Sequence, residues 1–179
     1  MILNLVFRYA VTMGYILYNP AREITLPKGL DKTQRTLPSD SDIAKIESDG
    51  KSKYGILAMW ILYTGLRRGE ILALTWEDVN LFKRTITVNK AVYYVGQNPH
   101  LKQPKTLSGI RTVSIPDALL PYVKPSTGLV FPSVNGGLMH ESEFTRGWNS
   151  WAKELGIDVT PHQLRHAYAS MLYENDINV

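Results

Sequence analysis

The chain contains no cysteine. Disulfides, thiolate zinc sites and a cysteine nucleophile are therefore excluded, and a reducing compartment fits. No uncharged apolar run reaches about 18 residues, so no membrane span is expected. The opening stretch MILNLVFRYAVTMGYILYNPA is apolar, yet it has no basic leader and Arg8 interrupts it. No clean small-residue cleavage site follows, so it does not read as a secretion signal, and the expected location is cytoplasmic. Internal repeats and low-complexity tracts are missing. Clustered carboxylates of the kind a two-metal nuclease needs are missing too, and no metal site is expected. What is present is a chain of 179 residues, 44% apolar and 20% charged, the profile of a soluble globular protein. That length suffices for one domain of ordinary size with a small appendage. The net charge of +4 favours a polyanionic partner only weakly, so the distribution of charge matters more than its sum.

Along the chain, Leu3, Val6, Phe7, Ala10 and Val11 recur at helical spacing, and Gly14 is a plausible stop. Residues 15 to 38, with three prolines and mixed charge, read as an extended linker. The expected organisation is therefore 1–35, the last helix of an upstream domain plus linker, and 36–179, a second domain. In that domain Ser39 or Asp40 caps a short helix to about Ser48. An apolar run from Tyr54 to Tyr63 predicts a buried helix ended by Gly65, and Arg67 to Leu74 a further helical stretch. Residues 85–95 and 109–115 are β-branched and aromatic, and predict strands of a small antiparallel sheet joined by a polar, proline-containing loop. Glu141 to Leu155 is amphipathic, with Phe144, Trp148, Trp151 and Leu155 on one face. Thr160 caps a last helix that has Pro161 at its first position and runs to about Glu174.

Three constellations carry chemistry. In TGLRRGE, Gly65 permits a sharp reversal, Gly69 close backbone packing, and Glu70 can grip the Arg67 guanidinium from three residues on. A guanidinium so oriented suits a phosphate; an ordinary surface ion pair fits the same residues. From Leu81 to Arg111 the chain carries Lys83, Arg84, Lys90, Lys102, Lys105 and Arg111 with no Asp or Glu between them. Such a field suits a DNA backbone, although lysine-rich strand edges also guard against aggregation. In TPHQLRH, His162 and Arg165 share one face of the first helical turns, where the positive end of the helix dipole favours an anion. A plain surface helix start, with His166 as a partly buried neighbour, is the other reading.

In order and spacing, these elements resemble those of the tyrosine recombinases, the phage integrase family. TGLRRGE resembles the first arginine box, and LALTWEDVNL the passage from helix to sheet. PKTLSGIRTVSI resembles the hairpin that carries the active-site lysine, and HQLRHAYAS the histidine–arginine box. RYAVTMGYILYNPA is similar to the end of the DNA-gripping N-terminal domain. The resemblance covers nearly the whole chain. It implies a mainly helical α+β fold with a small three-stranded antiparallel sheet. It also implies Arg67, Lys105, His162 and Arg165 as catalytic residues, with Glu70 and His166 in support. Arg68 falls at the variable position after the first arginine. DNA contacts are expected from Arg68, Lys83, Arg84, Lys90, Lys102 and Arg111.

The activity implied is site-specific DNA recombination by transesterification through a 3′-phosphotyrosyl intermediate, with double-stranded DNA as partner and no cofactor. The family's later histidine or tryptophan box and its tyrosine nucleophile are not matched by any residue. Tyr168 and Tyr173 lie inside the last helix, the wrong context for a nucleophile. The chain is therefore expected to bind DNA phosphate without cutting it. The family acts as a homotetramer on DNA, and this chain alone is expected to be monomeric. A DNA-binding module without cutting activity, and a type IB topoisomerase, are the competing readings.

Overall fold

The computed structural model describes residues 2–24, 36–104 and 109–174. The chain divides into two compact units, Met1–Gln34 and Arg35–Val179. In the first, α1 (Ile2–Thr12) buries none of its residues. Gly14, at φ 74°, turns the chain after it. Of the residues that set the apolar periodicity, Leu3 and Val6 are exposed and Phe7, Ala10 and Val11 are half-buried, so within this unit the apolar face is only partly covered.

The second unit is built around one helix. Helix α2 (Asp40–Ser48) starts at Ser39, whose hydroxyl accepts from the Asp42 amide while the Asp42 side chain accepts from the Ser39 amide. This reciprocal arrangement satisfies two otherwise orphaned donors. Helix α3 (Lys53–Thr64) is apolar on every side, and a helix of that kind belongs in the middle of a core. Leu57 through Leu62 are fully buried, and α3 packs against α2, α4 (Arg68–Ala73), α5 (Glu141–Leu155) and α6 (Pro161–Glu174). Gly65 ends α3 in the left-handed region at φ 63°, which L side chains resist. The amphipathic face of α5 buries Phe144, Trp148 and Trp151. Two indole N–H groups anchor it: Trp148 donates to the Val159 carbonyl at 2.8 Å and Trp151 to Asp49 at 2.7 Å.

Strands β1 (Val79–Asn80), β2 (Thr85–Val88) and β5 (Arg111–Ser114) form an antiparallel sheet in the order β1-β2-β5. The chain is thus mainly helical with a small antiparallel sheet, the expected class. The strand reading needs two corrections. Residues 85–95 are not one strand. The chain breaks at Asn89 and Lys90, whose side chains both turn to the buried Asp78, and continues as β3 (Ala91–Val95). Nor is the following segment only a loop. Asn98–Lys102 forms β4, a two-stranded hairpin with β3, turned by Gly96 at φ 60° followed by Gln97. Pro99 made it read as loop, but a two-stranded hairpin has only edge strands, where proline is tolerated.

Candidate active site

Arg67 sits at the N-cap of α4, immediately after the Gly65 reversal. Its backbone N–H donates to Glu70 Oε2 at 2.8 Å and its Nη1 to Oε1 at 3.0 Å. Glu70 is buried, yet it accepts a second guanidinium: Arg111 of β5 donates Nη1 to Oε1 at 2.8 Å and Nη2 to Oε2 at 2.7 Å. Burial pushes the Glu70 carboxyl up, but the bonds from Arg111 and Arg67 outweigh it and hold its pKa at about 2. Gly69 is required by the packing here, because a Cβ on it would stand 2.4 Å from the Val92 carbonyl oxygen of β3.

Helix α6 presents its N-terminus to the same place. Thr160 and Gln163 form a capping box, with the Gln163 amide donating to Thr160 Oγ1 at 3.3 Å and the Thr160 amide to Gln163 Oε1 at 2.9 Å. Arg165, one turn along, donates Nη1 to the Gly65 carbonyl. Burial lowers the Arg165 pKa, and the charges of Arg67 and Arg111 lower it further, against the opposing pull of Glu70 and Tyr168. The guanidinium groups of both boxes therefore feel one another's charge. Arg67, Arg68, His162 and Arg165 line one cleft of about 500 Å³ with Thr160 and Pro161 at its rim. His162 is exposed there. Its Nε2 lies 2.8 Å from Nε2 of His166, so one ring must donate and the other accept.

Arg67 also lines a second cleft of about 450 Å³, shared with Glu70, Lys90, Lys102 and Arg111. Lys105 lies outside the described residues, although Pro104 and Gly109, on either side of it in the chain, line this second cleft. The basic segment is not a uniform stripe of unpaired cations. Arg111 is taken by Glu70, Lys90 by Asp78 and Arg84 by Asp117. Lys83 and Lys102 remain exposed, the latter with its ammonium 5.9 Å from the centre of the Tyr93 ring. Arg68 is likewise engaged. Its guanidinium carbon lies 5.5 Å from the Tyr94 ring centre and 5.3 Å from that of Phe144, and Nη2 donates to Glu141 at 3.2 Å. Sequence reasoning missed the second partner of Glu70 and the aromatic seat of Arg68, since nothing local to either residue encodes them. Tyr168 packs over Gly65, where a Cβ would come within 2.2 Å of its ring, and Tyr173 is exposed.

The arrangement has the chemistry that suits a tetrahedral anion: guanidinium groups gathered at a helix N-terminus. Residues 39–179 match the phage integrase family. A XerC-like tyrosine recombinase of Caldanaerobacter subterraneus is 28% identical over 208 residues, covering 96% of this chain and 53% of its own. The prophage ps2 probable integrase of Lactococcus lactis is also 28% identical, over 98% of this chain and 54% of its own. The chain thus spans about half the length of the curated relatives it matches. Among solved structures, the Tn1549 transposon integrase in complex with circular intermediate DNA shares the fold. Its TM-score is 0.81 at 21% identity, over 98% of this chain and 65% of that one. With the match spanning the whole second unit save its first residues, and relatives of one kind on every side, the chain belongs to the phage integrase family.

Proposed function

We propose that the protein performs site-specific DNA recombination, integrating or excising a mobile element by phosphodiester transesterification on double-stranded DNA. Residues 1–35 are then the end of a DNA-gripping domain with its linker, and 36–179 belong to the catalytic domain. The observation that carries this reading is the single cleft lined by Arg67, His162 and Arg165 at the N-terminus of α6. Attack of a tyrosine oxygen on a DNA phosphate gives a 3′-phosphotyrosyl link and a 5′-hydroxyl, and attack by a second DNA hydroxyl reverses the step. The bond energy is kept in the covalent link, so no nucleotide cofactor enters the scheme.

The pentavalent transition state carries added negative charge on its non-bridging oxygens. Arg67 and Arg165 would hold those oxygens, with the dipole of α6 behind them. His162 would hydrogen-bond the same phosphate or move the attacking proton, its ring set by His166. Lys105 would protonate the departing 5′-oxygen. Tyr168, packed on Gly65, is not the attacking tyrosine in this reading. The working assembly in this reading is four copies on DNA, in the cytoplasm.

The test uses the complete protein and a nicked duplex that traps the covalent adduct. Arg67→Ala or Arg165→Ala should slow adduct formation by roughly 10²–10³-fold. Normal cleavage by either variant refutes its assignment. If the unaltered protein binds duplex but forms no adduct, it is a DNA-binding module instead.

A further inference from the structure

The Glu70 carboxylate receives four donors, two on each oxygen, and Arg111 supplies two of them through both of its terminal nitrogens. Arg67 supplies its backbone N–H and only Nη1 of its side chain. Among the described residues, the Nε and Nη2 of Arg67 have no partner, and its side chain is 64% exposed against 36% for that of Arg111. The two guanidinium groups are thus unequal. One is spent on the carboxylate, and the other is held by one edge with its remaining edge available.

We propose that Arg111 is a positioning residue, which occupies both oxygens of Glu70 so that Arg67 keeps an open edge and uncompensated charge for the phosphate. This rests on the role given to Arg67 above, and it replaces the expectation that Arg111 touches DNA. The physics is competition for one negative charge. A planar carboxylate gains most from a guanidinium that meets it with two parallel N–H···O bonds. With Arg111 present, that side is taken, and the approach left to Arg67 is the single Nη1 bond. Without Arg111, Glu70 would face Arg67 alone, and a two-pronged Arg67–Glu70 pair would neutralise Arg67 and turn its fork from the cleft. Without Glu70, by contrast, Arg67, Arg111 and Arg165 would repel one another, since each adds to the positive field at Arg165. The carboxylate and its second arginine therefore act together: one gathers the charges, the other keeps the gathering from silencing Arg67.

The experiment measures single-turnover adduct formation at saturating DNA, together with DNA affinity across a salt series, in the complete protein. Arg111→Gln should slow the saturated rate by roughly 10–10²-fold, the scale of a small misplacement of a reacting group. DNA affinity should stay within about threefold, because a residue occupied by Glu70 releases no counterion. Arg111→Lys should recover part of the rate. The Arg67→Gln/Arg111→Gln pair should be no slower than Arg67→Gln alone, which a merely structural role for Arg111 would not produce. A normal saturated rate with weaker binding and a salt slope shallower by about 1 would make Arg111 a phosphate contact and overturn the proposal. Multiplying losses in the double variant would overturn it too. If thermal melting shows Arg111→Gln to be unfolded, Arg111→Lys is decided by the same readouts. Normal cleavage by Arg67→Gln would instead refute the role of Arg67, and a crippled Arg67→Gln beside a normal Arg111→Gln would refute only that of Arg111.

Discussion

Glu70→Gln keeps the shape of the side chain and removes its charge, so it isolates what the ionised carboxylate contributes. Burial works against that charge, while two bonds from Arg111 and two from Arg67 work for it, and the outcome is a drop from an ordinary 4.5 to about 2. At about 1.4 kcal/mol per pH unit, this makes the ionised form about 3 kcal/mol more favourable in the folded chain than in the unfolded one. The side chain is only 9% exposed, so solvent screens little of it. Because the folded pKa is depressed, the contribution is complete above 4.5 and is lost as the pH falls through about 2. Urea unfolding of this chain and of Glu70→Gln, followed by tryptophan fluorescence, should show a gap of about 3 kcal/mol near neutral pH. The gap should close as the pH drops from about 5 toward 2. A gap that stays constant over that range, or one below about 0.5 kcal/mol at neutral pH, would refute the claim that a charge-assisted clamp organises the site.

Gly69→Ala should cost roughly 1–3 kcal/mol in melting or denaturant experiments, because the new methyl group meets the backbone of β3 rather than a yielding side chain. An unchanged melting temperature would mean that β3 does not sit against α4 as described. Arg68→Ala should cost about 1–2 kcal/mol by emptying the seat between Tyr94 and Phe144 and releasing Glu141. A loss confined to DNA affinity, with stability untouched, would mean that Arg68 serves DNA binding rather than packing.

The parts of this fold that could be read in advance are those with a local cause. Ser39 with Asp42, the left-handed Gly65, and Thr160 with Pro161 and Gln163 mark helix ends through groups no more than a few residues apart. The face of α5 is likewise written in its own spacing. The grip of Glu70 on Arg67 was legible because three residues separate them. What could not be read depends on register and on distant pairing. Arg111 reaches Glu70 only because β5 pairs with β2 in the register Val88↔Arg111. The break at Asn89 and Lys90 is set by Asp78, a residue of an earlier turn. The seat of Arg68 is assembled from β3 and α5, neither of which is its chain neighbour. The convergence of Arg67 with His162 and Arg165 was expected by resemblance, not from any spacing, since about a hundred residues separate them.

The bond from Arg165 to the Gly65 carbonyl has a thermodynamic corollary. An untethered arginine samples many rotamers, and freezing it on a ligand costs up to roughly 1.5–2 kcal/mol. Here one terminal nitrogen is already moored to main chain at the turn that also launches α4. That loss of freedom falls on folding, so in the proposed role an arriving oxyanion would meet a side chain with little left to surrender. Affinity for the anion should accordingly respond to anything that shifts the Gly65 peptide plane, even where no charge is altered.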